Sequence, residues 1–435
     1  MNLPHILFLS LDATRFDLLF GEKGEQQAPF LNALSQRAIR FDNAYTTAPW
    51  TPPSHASMFT GLLPHAHGVQ EGHLWLPEDT ETLAGFLRKQ GYWTVGMSSN
   101  PLLGPITNLN KDFEDFYELW RNPDRHQTEA EQLRFDDIIL DSRTVVREME
   151  ALLEQAFQKH DGSPIFLFAQ FIGPHNPYEP SQEAKTRYVG FHSPETWTRV
   201  EQINRDWRHF YGGDRQLTED ESRLLRELYQ AELNDLDRGL QQFLAHPFIE
   251  SLLPNAHVII TADHGEMLGE HQHIHHLFNL HEPLIHVPLL WRYPGQEDGH
   301  RDGQLIQHTV FLPVIRDLVA GRDILDAIAD HRSREAISVL REPVEILAGL
   351  EQLAPEQVAE FRYGSVARRV GDLKFSWQSN GHQAVYDMKC DAGETTNLIA
   401  SHRNEFDSFA ARAGDYLGGA GDDLMQRQLR DLGYF

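Results

Sequence analysis

The amino-acid sequence predicts an α/β fold: a central, mostly parallel sheet flanked by helices, with a small α+β subdomain near the C-terminus. Three observations predict it. Short apolar runs, typical of strands buried on both faces, recur along the chain. Segments with apolar residues at helical spacing lie between these runs. Polar side chains follow several of the runs, at the strand ends where ligands bind on parallel sheets.

The elements follow in order along the chain. Strands are predicted over residues 6–11, 92–97, 165–171 and 257–261, and helices over residues 29–40, 81–90 and 143–158. A polar, mostly helical insertion spans about residues 181–242, and we expect it to cover or border the site. Short strands over 366–370, 373–377 and 384–388, joined by glycine-containing turns, precede a helix over 403–417. We therefore expect a large catalytic domain over residues 1–335 and a C-terminal α+β subdomain over 336–435.

Composition limits the classes of partner. A formal net charge of −26 argues against nucleic acid, because phosphate backbones attract basic surfaces. Cys390 is the single cysteine, so the chain has no internal disulfide. The N-terminus lacks the pattern of a signal peptide, and no run of about 18 apolar residues predicts a membrane helix. These features predict a cytoplasmic protein without a membrane partner. The sequence does not indicate the oligomeric state.

Candidate site residues lie directly after predicted strands. Asp12 follows the first, and Asp263 and His264 follow the fourth. Two carboxylates and an imidazole from distant parts of the chain make a plausible divalent-metal cage. Taken alone, each aspartate can be interpreted as a backbone cap, and the histidine as a residue that follows Asp263 by chance. Thr51 precedes a proline-stiffened turn at a predicted helix start, where free N–H groups and the helix dipole favour anions. A metal beside this hydroxyl would make it nucleophilic.

Several motifs in the same order resemble the sulfatase family of the alkaline phosphatase superfamily. They are Leu-Asp-x-x-Arg-x-Asp at 11–17, Pro-Phe-Leu-Asn-Ala-Leu at 29–34, Phe-Asp-Asn-Ala-Tyr at 41–45, Thr-x-Pro-x-His at 51–55 with Ser-x-x-Thr-Gly at 57–61, Asp-His-Gly at 263–265, and the segment 373–398 with Asp-Ala-Gly-Glu-Thr-Thr-Asn-Leu at 391–398. The resemblance spans nearly the whole chain and implies the alkaline-phosphatase-like fold.

Site roles follow from the resemblance by position. It implies that Asp12, Asp263 and His264 bind the metal, and that Thr51 is the nucleophile and a fourth ligand. His175 and His276 match positions that contact the substrate or the transferred group. The implied cofactor is one divalent ion, Mn, Zn, Mg or Ca, with a second possible. The implied substrate is a small-molecule or glycan anionic ester. Asn100 lies near another family site position, and six histidines crowd the region after the metal motif: His271, His273, His275, His276, His281 and His286.

Three departures from the family pattern shape the predicted reaction. Thr51 replaces the cysteine or serine that sulfatases convert into formylglycine, and threonine cannot form that aldehyde because its β-carbon carries a methyl group. His55 replaces an arginine, and Ala13 replaces a second aspartate. A phosphothreonine can be hydrolysed by in-line attack of water, so the sequence favours phosphate mono- or diester hydrolysis. The alternatives are a sulfatase without formylglycine, a phosphotransferase, and a metal-binding scaffold without catalysis.

Overall fold

The computed structural model describes residues 3–121, 142–213, 215–350, 353 and 358–418. Its strands, in chain order, are β1 (His5–Leu11), β2 (Ile39–Tyr45), β3 (Trp93–Ser98), β4 (Asp115–Glu118), β5 (Ile165–Phe171), β6 (Ala256–Ala262), β7 (Met267–Leu268), β8 (Ile274–His275), β9 (Leu289–Arg292), β10 (His300–Gln307), β11 (Glu335–Leu340), β12 (Ser365–Val370), β13 (Leu373–Gln378) and β14 (Gln383–Asp387). Within these residues, eight strands form the central sheet in the order β10-β2-β9-β6-β1-β5-β3-β4. The sheet is parallel except at β9, which runs antiparallel to β2 and β6. The predicted α/β fold is confirmed.

Helices cover the sheet and build the insertion. The α-helices are Phe16–Phe20, Gly24–Gln27, Pro29–Ser35, Thr51–Thr60, Pro64–His67, Leu83–Lys89, Ser142–Lys159, Gln182–Tyr188, Pro194–Arg205, Arg208–Tyr211, Glu219–Leu244, Pro247–Leu252, Glu282–Ile285, Phe311–Val319, Ile324–His331, Val344–Ala348 and Arg403–Ala413. Single 3₁₀ turns lie at Leu119–Arg121, Leu253–Asn255, Glu270–Gln272, His308–Val310 and Gly414–Leu417. No helix within the described ranges is both long and apolar enough to cross a membrane.

Strand β1 explains why the central strands read as continuous apolar runs. Ile6 and Phe8 pack on one face of the sheet, in a core that includes Phe311. Leu7 and Leu9 pack on the other face, in a core that includes the helix Glu219–Leu244. Because both faces are covered, every position along the strand favours an apolar side chain.

That long helix corrects one part of the sequence reading. It lies largely within the predicted insertion, yet its Leu233, Leu236 and Leu240 are buried in the core of the central sheet. This stretch of the insertion is therefore part of the sheet's own core, which the prediction that the insertion covers or borders the site did not include. The polar residues between these leucines gave the segment a polar composition, which concealed its buried face.

Two other boundaries also differ from the prediction. The helix predicted over residues 29–40 ends at Ser35, because the chain turns and enters β2 at Ile39. The C-terminal antiparallel sheet begins before the first strand predicted there, at residues 366–370. Strand β11, which starts at Glu335, precedes it in the order β11-β12-β13-β14. Residues 419–435 of the predicted subdomain lie outside the described residues.

Candidate active site

The parallel register brings Asp12 and Asp263 to the same edge of the sheet. Leu11, the last residue of β1, pairs with Ala262, the last residue of β6. The next residue of each strand is an aspartate, so two carboxylates emerge side by side. Together with His264 they form a fully buried group whose potential ligand atoms all lie within 4.8 Å of one another.

His264 is oriented as a ligand. Its Nδ1 lies 2.9 Å from the carbonyl oxygen of Gly265. A carbonyl only accepts hydrogen bonds, so Nδ1 carries the proton and Nε2 keeps its lone pair. Nε2 is 3.4 Å from Asp12 Oδ1 and 3.5 Å from Asp263 Oδ2. Burial lowers the pKa of His264 well below its ordinary value, so the neutral, ligating form is favoured.

The carboxylates leave one oxygen each for an ion. Asp12 Oδ2 accepts hydrogen bonds from Asn100 Nδ2 at 2.8 Å and from Gln170 Nε2 at 2.9 Å. Asp12 Oδ1 and Asp263 Oδ2 are buried without a hydrogen-bond partner. Burial raises the pKa of Asp12, and the neighbouring carboxylate of Asp263 raises it further. Two orphaned carboxylate oxygens facing an imidazole lone pair fit a divalent cation, which would satisfy both charges.

Thr51 lies beside this group, at the first residue of the helix Thr51–Thr60. Its Oγ1 is 3.5 Å from His264 Nε2 and 3.3 Å from Asn100 Nδ2. The hydroxyl is therefore placed to touch any ion held by the carboxylates. The expected array of free N–H groups is reduced, however, because Pro52 and Pro53 have no N–H and the Ser54 N–H faces the Trp50 carbonyl at 3.4 Å.

His55 does not supply the positive charge of the arginine that it replaces. Its Nδ1 lies 2.9 Å from the carbonyl oxygen of Thr51, so this nitrogen is the donor, and its Nε2 lies 2.9 Å from Ser10 Oγ. Burial lowers the pKa of His55. A neutral imidazole with both nitrogens engaged braces the first turn of the helix and so fixes the backbone at Thr51.

His276 and His175 flank the group on one side. The His276 ring lies 4.5 Å from the His264 ring and 4.8 Å from the His175 ring, between centroids. His276 Nδ1 is 3.0 Å from Oε1 of Glu266, a carboxylate that is itself fully buried. The carboxylate holds the proton on Nδ1, which leaves Nε2 of His276 available for acid–base chemistry.

The loop after Asp12 is clamped from the long helix Glu219–Leu244. Tyr229 Oη donates to the carbonyl oxygen of Ala13 at 2.8 Å and accepts from the Arg15 N–H at 2.8 Å. Ala13 has a left-handed backbone with φ of 54°, and its N–H points at Asp263 Oδ1, 3.2 Å away. Tyr229 thus stabilises a conformation that non-glycine residues rarely adopt, and this conformation aims a backbone donor at the second carboxylate.

The histidine-rich segment does not form one cluster. Of its six histidines, His276 lies against the carboxylate group, whereas His275 Nε2 contacts the Ile203 carbonyl oxygen at 3.1 Å. His286 stacks on Phe16 with 4.1 Å between ring centroids. His271 and His281 stack on each other instead, at 4.0 Å. A second ion bound by this segment beside Thr51 stays a prediction.

Two contributors were missed from the sequence. Gln170 lies inside the predicted strand 165–171, where it was counted with the apolar run although it is the one amide in it. Glu266 follows the Asp-His-Gly motif directly and was not assigned a role. In both cases the signal was a polar side chain at a position whose neighbours are buried. Asn100, matched only loosely, binds both Asp12 and Thr51.

Comparisons with known proteins agree with this architecture. The sulfatase family model matches residues 4–321. A choline-sulfatase of Rhizobium meliloti is 27% identical to the chain, over 93% of this chain and 84% of the relative. The phosphonate monoester hydrolase of Silicibacter pomeroyi superposes with a TM-score of 0.68 at 18% identity, over 98% and 96% of the two chains. That of Agrobacterium radiobacter gives 0.69 at 16% identity, over 94% of each.

Proposed function

Since the chain belongs to the sulfatase family of ester hydrolases, we propose that it hydrolyses phosphate mono- or diesters with Thr51 as the nucleophile. A small-molecule or glycan ester is the proposed substrate. The observation that carries the proposal is a threonine hydroxyl, 3.5 Å from the ligating nitrogen of His264, where the family pattern has formylglycine.

The chemistry of threonine separates the two ester classes. A formylglycine hydrate expels sulfate by collapsing to the aldehyde, and Thr51 has no such route because its β-carbon carries a methyl group. A threonine sulfate ester would need water to attack sulfur directly. A phosphothreonine can be opened by in-line attack of water at phosphorus, so phosphorus esters suit this side chain better.

The residues that would hold the divalent ion are Asp12, Asp263, His264 and Thr51. When bound, the ion would lower the pKa of the Thr51 hydroxyl and offset charge on the transferred group. Asn100 already donates towards Thr51 Oγ1 at 3.3 Å, so its amide is placed to bind an oxygen of the phosphoryl group. These contacts orient the hydroxyl before the substrate arrives.

In the first step, His276 Nε2 takes the proton of Thr51 Oγ1 as this oxygen bonds to phosphorus and the bond from phosphorus to the leaving oxygen breaks. His276 then gives the same proton from Nε2 to the departing oxygen, with its Nδ1–H held by Glu266. In the second step, His276 takes a proton from a water molecule that attacks phosphorus. His276 returns this proton to Thr51 Oγ1 as the bond from phosphorus to that oxygen breaks, which restores the threonine hydroxyl and the neutral imidazole.

His175 has a different role in this scheme. Its ring lies 4.8 Å from the ring of His276, between centroids, and its Nδ1 faces the Asn176 carbonyl oxygen. Nδ1 is therefore the donor to that carbonyl, which fixes the orientation of the ring beside His276. We assign His175 to binding the oxygens of the transferred group.

The test is turnover of matched nitrophenyl esters: phosphate monoester, phosphodiester, phosphonate ester and sulfate. Metal-stripped protein is reloaded with Mn, Zn, Mg or Ca and assayed beside Thr51→Ala and Thr51→Ser. We expect a phosphorus ester to be turned over fastest, Thr51→Ala to be inactive and Thr51→Ser to keep activity. A preference for sulfate, the class named by the choline-sulfatase relative, would overturn the proposal. Full activity in Thr51→Ala would overturn the nucleophile, and no turnover of any ester would favour the scaffold alternative.

A further inference from the structure

A second group of potential ligands lies apart from the Asp12 site. It comprises His271, His281 and Glu394, which we call the His271 cluster. Its potential ligand atoms all lie within 4.8 Å of one another. The two imidazole rings are parallel, at 4.0 Å between centroids and 4° between planes. His281 Nδ1 is 2.7 Å from Glu394 Oε2.

The carboxylate of this cluster is fixed. The Glu394 side chain is 2% exposed, and its Oε1 pairs with the buried Lys374 ammonium at 2.5 Å. Its Oε2 accepts the Glu282 N–H at 2.9 Å in addition to its contact with His281. One oxygen therefore pairs with the ammonium, and the other contacts His281. Since His271 is exposed, the cluster opens to solvent on that side, and an ion can reach it.

Backbone strain accompanies the arrangement. His271 has a φ of 51° and Glu394 a φ of 53°, so both lie in the left-handed region without being glycine. This backbone conformation is unfavourable for a residue with a side chain, and it persists where the surroundings require it. Two of the three residues therefore keep an unfavourable backbone conformation. This indicates that the fold holds their side chains in specific positions.

We propose that His271, His281 and Glu394 form a second divalent-metal site, separate from the Asp12 site. Two imidazoles and one carboxylate suit a borderline ion such as zinc, with water completing the coordination. The ion replaces the proton shared by His281 and Glu394. Because Lys374 already offsets the charge of Glu394, this site binds more weakly than the Asp12 site, with its two carboxylates.

Such a site ties together two distant parts of the chain. His271 and His281 bracket His276 in sequence, and Glu394 lies beyond β14, next to the second sheet. An ion held by all three cross-links the segment that carries His276 to the C-terminal part of the chain. The site is therefore structural, and it restricts the motion of the catalytic segment without contacting the substrate.

Zinc binding to the full chain tests the proposal. Isothermal titration and metal analysis after gel filtration are performed on the parent, on Asp12→Ala/Asp263→Ala, and on this double variant with His271→Ala or His281→Ala added. We expect two zinc ions in the parent, one in the double variant, and binding at least tenfold weaker when either histidine is removed. Cobalt gives a second readout, because its visible absorption reports imidazole and carboxylate coordination.

A matched control lies on the same segment. His273 is a close neighbour, 6.2 Å from His281 between ring centroids, but it stands outside the ligand set and contacts Tyr211. His273→Ala in the double variant is expected to keep its zinc ion. Loss of all zinc from the double variant would overturn the proposal. So would a remaining ion that survives both His271→Ala and His281→Ala, with folding of each variant checked by circular dichroism.

Discussion

Replacing Asp12 with asparagine is expected to stabilise the metal-free protein and to destabilise the metal-loaded one relative to the parent. Asp12 Oδ1 and Asp263 Oδ2 are buried and lack hydrogen-bond partners, and the two carboxylates bring one oxygen each to within 4.8 Å of the other. At that separation two unit charges repel by about 3.5 kcal/mol for an effective dielectric constant of about 20. Asparagine removes one charge, and its amide can donate to Asp263 Oδ2, while its oxygen keeps the contacts with Asn100 and Gln170.

The expected gain is smaller than the full repulsion, since the metal-free parent can relieve part of it by taking up a proton. We expect about 2 kcal/mol, which for a chain of this length raises the melting temperature by a few degrees. With metal bound, the parent is expected to be more stable than Asp12→Asn. An ion present at about 1,000 times its dissociation constant stabilises the parent by about 4 kcal/mol, and Asp12→Asn gains little because a ligand is lost.

The difference in stability between the metal-free parent and metal-free Asp12→Asn also depends on pH. Burial raises the folded-state pKa of Asp12 and of Asp263 above the ordinary aspartate value of 3.8. A raised carboxyl pKa gives stability that is present below the unfolded value and is lost as the pH rises through the folded value. The metal-free parent therefore loses stability above about pH 4, and the advantage of Asp12→Asn grows over the same range.

The assay is thermal unfolding by circular dichroism, with chelator or with saturating Mn, from pH 4 to 8. Asp17→Asn is the control, because Asp17 lies nearby, in the helix Phe16–Phe20, but is paired with Arg15 at 2.7 Å. It should not stabilise the metal-free protein. The reasoning is refuted if metal-free Asp12→Asn melts below the parent, or if metal raises the melting temperature of Asp12→Asn as much as that of the parent.

The remaining predictions concern the acid and the scaffold. His276→Ala should lower kcat about 10²–10⁴-fold for alkyl esters and less for nitrophenyl esters, which need no proton on the leaving oxygen; equal losses in steady-state kinetics would contradict its role as the acid. Glu266→Gln keeps a hydrogen-bond acceptor for His276 Nδ1 but removes the negative charge, so kcat should fall about tenfold with KM little changed. A change in KM alone would show that Glu266 acts in substrate binding instead. Asp237→Ala should lower the free energy of unfolding by about 1 kcal/mol without changing the enzyme kinetics, because the Asp237 carboxylate caps the helix Pro29–Ser35 by accepting hydrogen bonds from the N–H groups of Phe30 and Leu31, at 2.9 and 2.8 Å. Denaturant titration measures this loss. An unchanged unfolding midpoint would show that this cap contributes nothing to stability.

The sequence predicted the strands whose two faces are both buried. β1, β5 and β6 are continuous apolar runs, and their predicted bounds lie within one residue of those observed. β2 was missed because it is buried at alternate positions at its start and carries Arg40 and Asp42, and β9 was missed because it has only four residues. Short strands and strands that carry charged residues have too few consecutive apolar residues to stand out from neighbouring helices.

The structure brings together those predicted side chains that follow strand ends in a recognisable motif. Asp12, Asp263 and His264 come together because the register of β1 and β6 aligns those ends. The supporting residues were harder to find. Gln170 acts from inside a strand, and Glu266 acts on another side chain, so neither stands at a position that a sequence pattern marks. Their roles depend on distances that only the folded chain provides.

Thr51 is most directly tested by trapping the enzyme during turnover. The metal-loaded protein is mixed with a slowly hydrolysed phosphorus ester, quenched in acid, digested, and analysed by tandem mass spectrometry. We predict a phosphoryl group on Thr51 that is absent from His276→Ala mixed with an alkyl ester, because that leaving group departs too slowly without its acid. Label on another residue, or none during steady turnover, would contradict nucleophilic attack by Thr51.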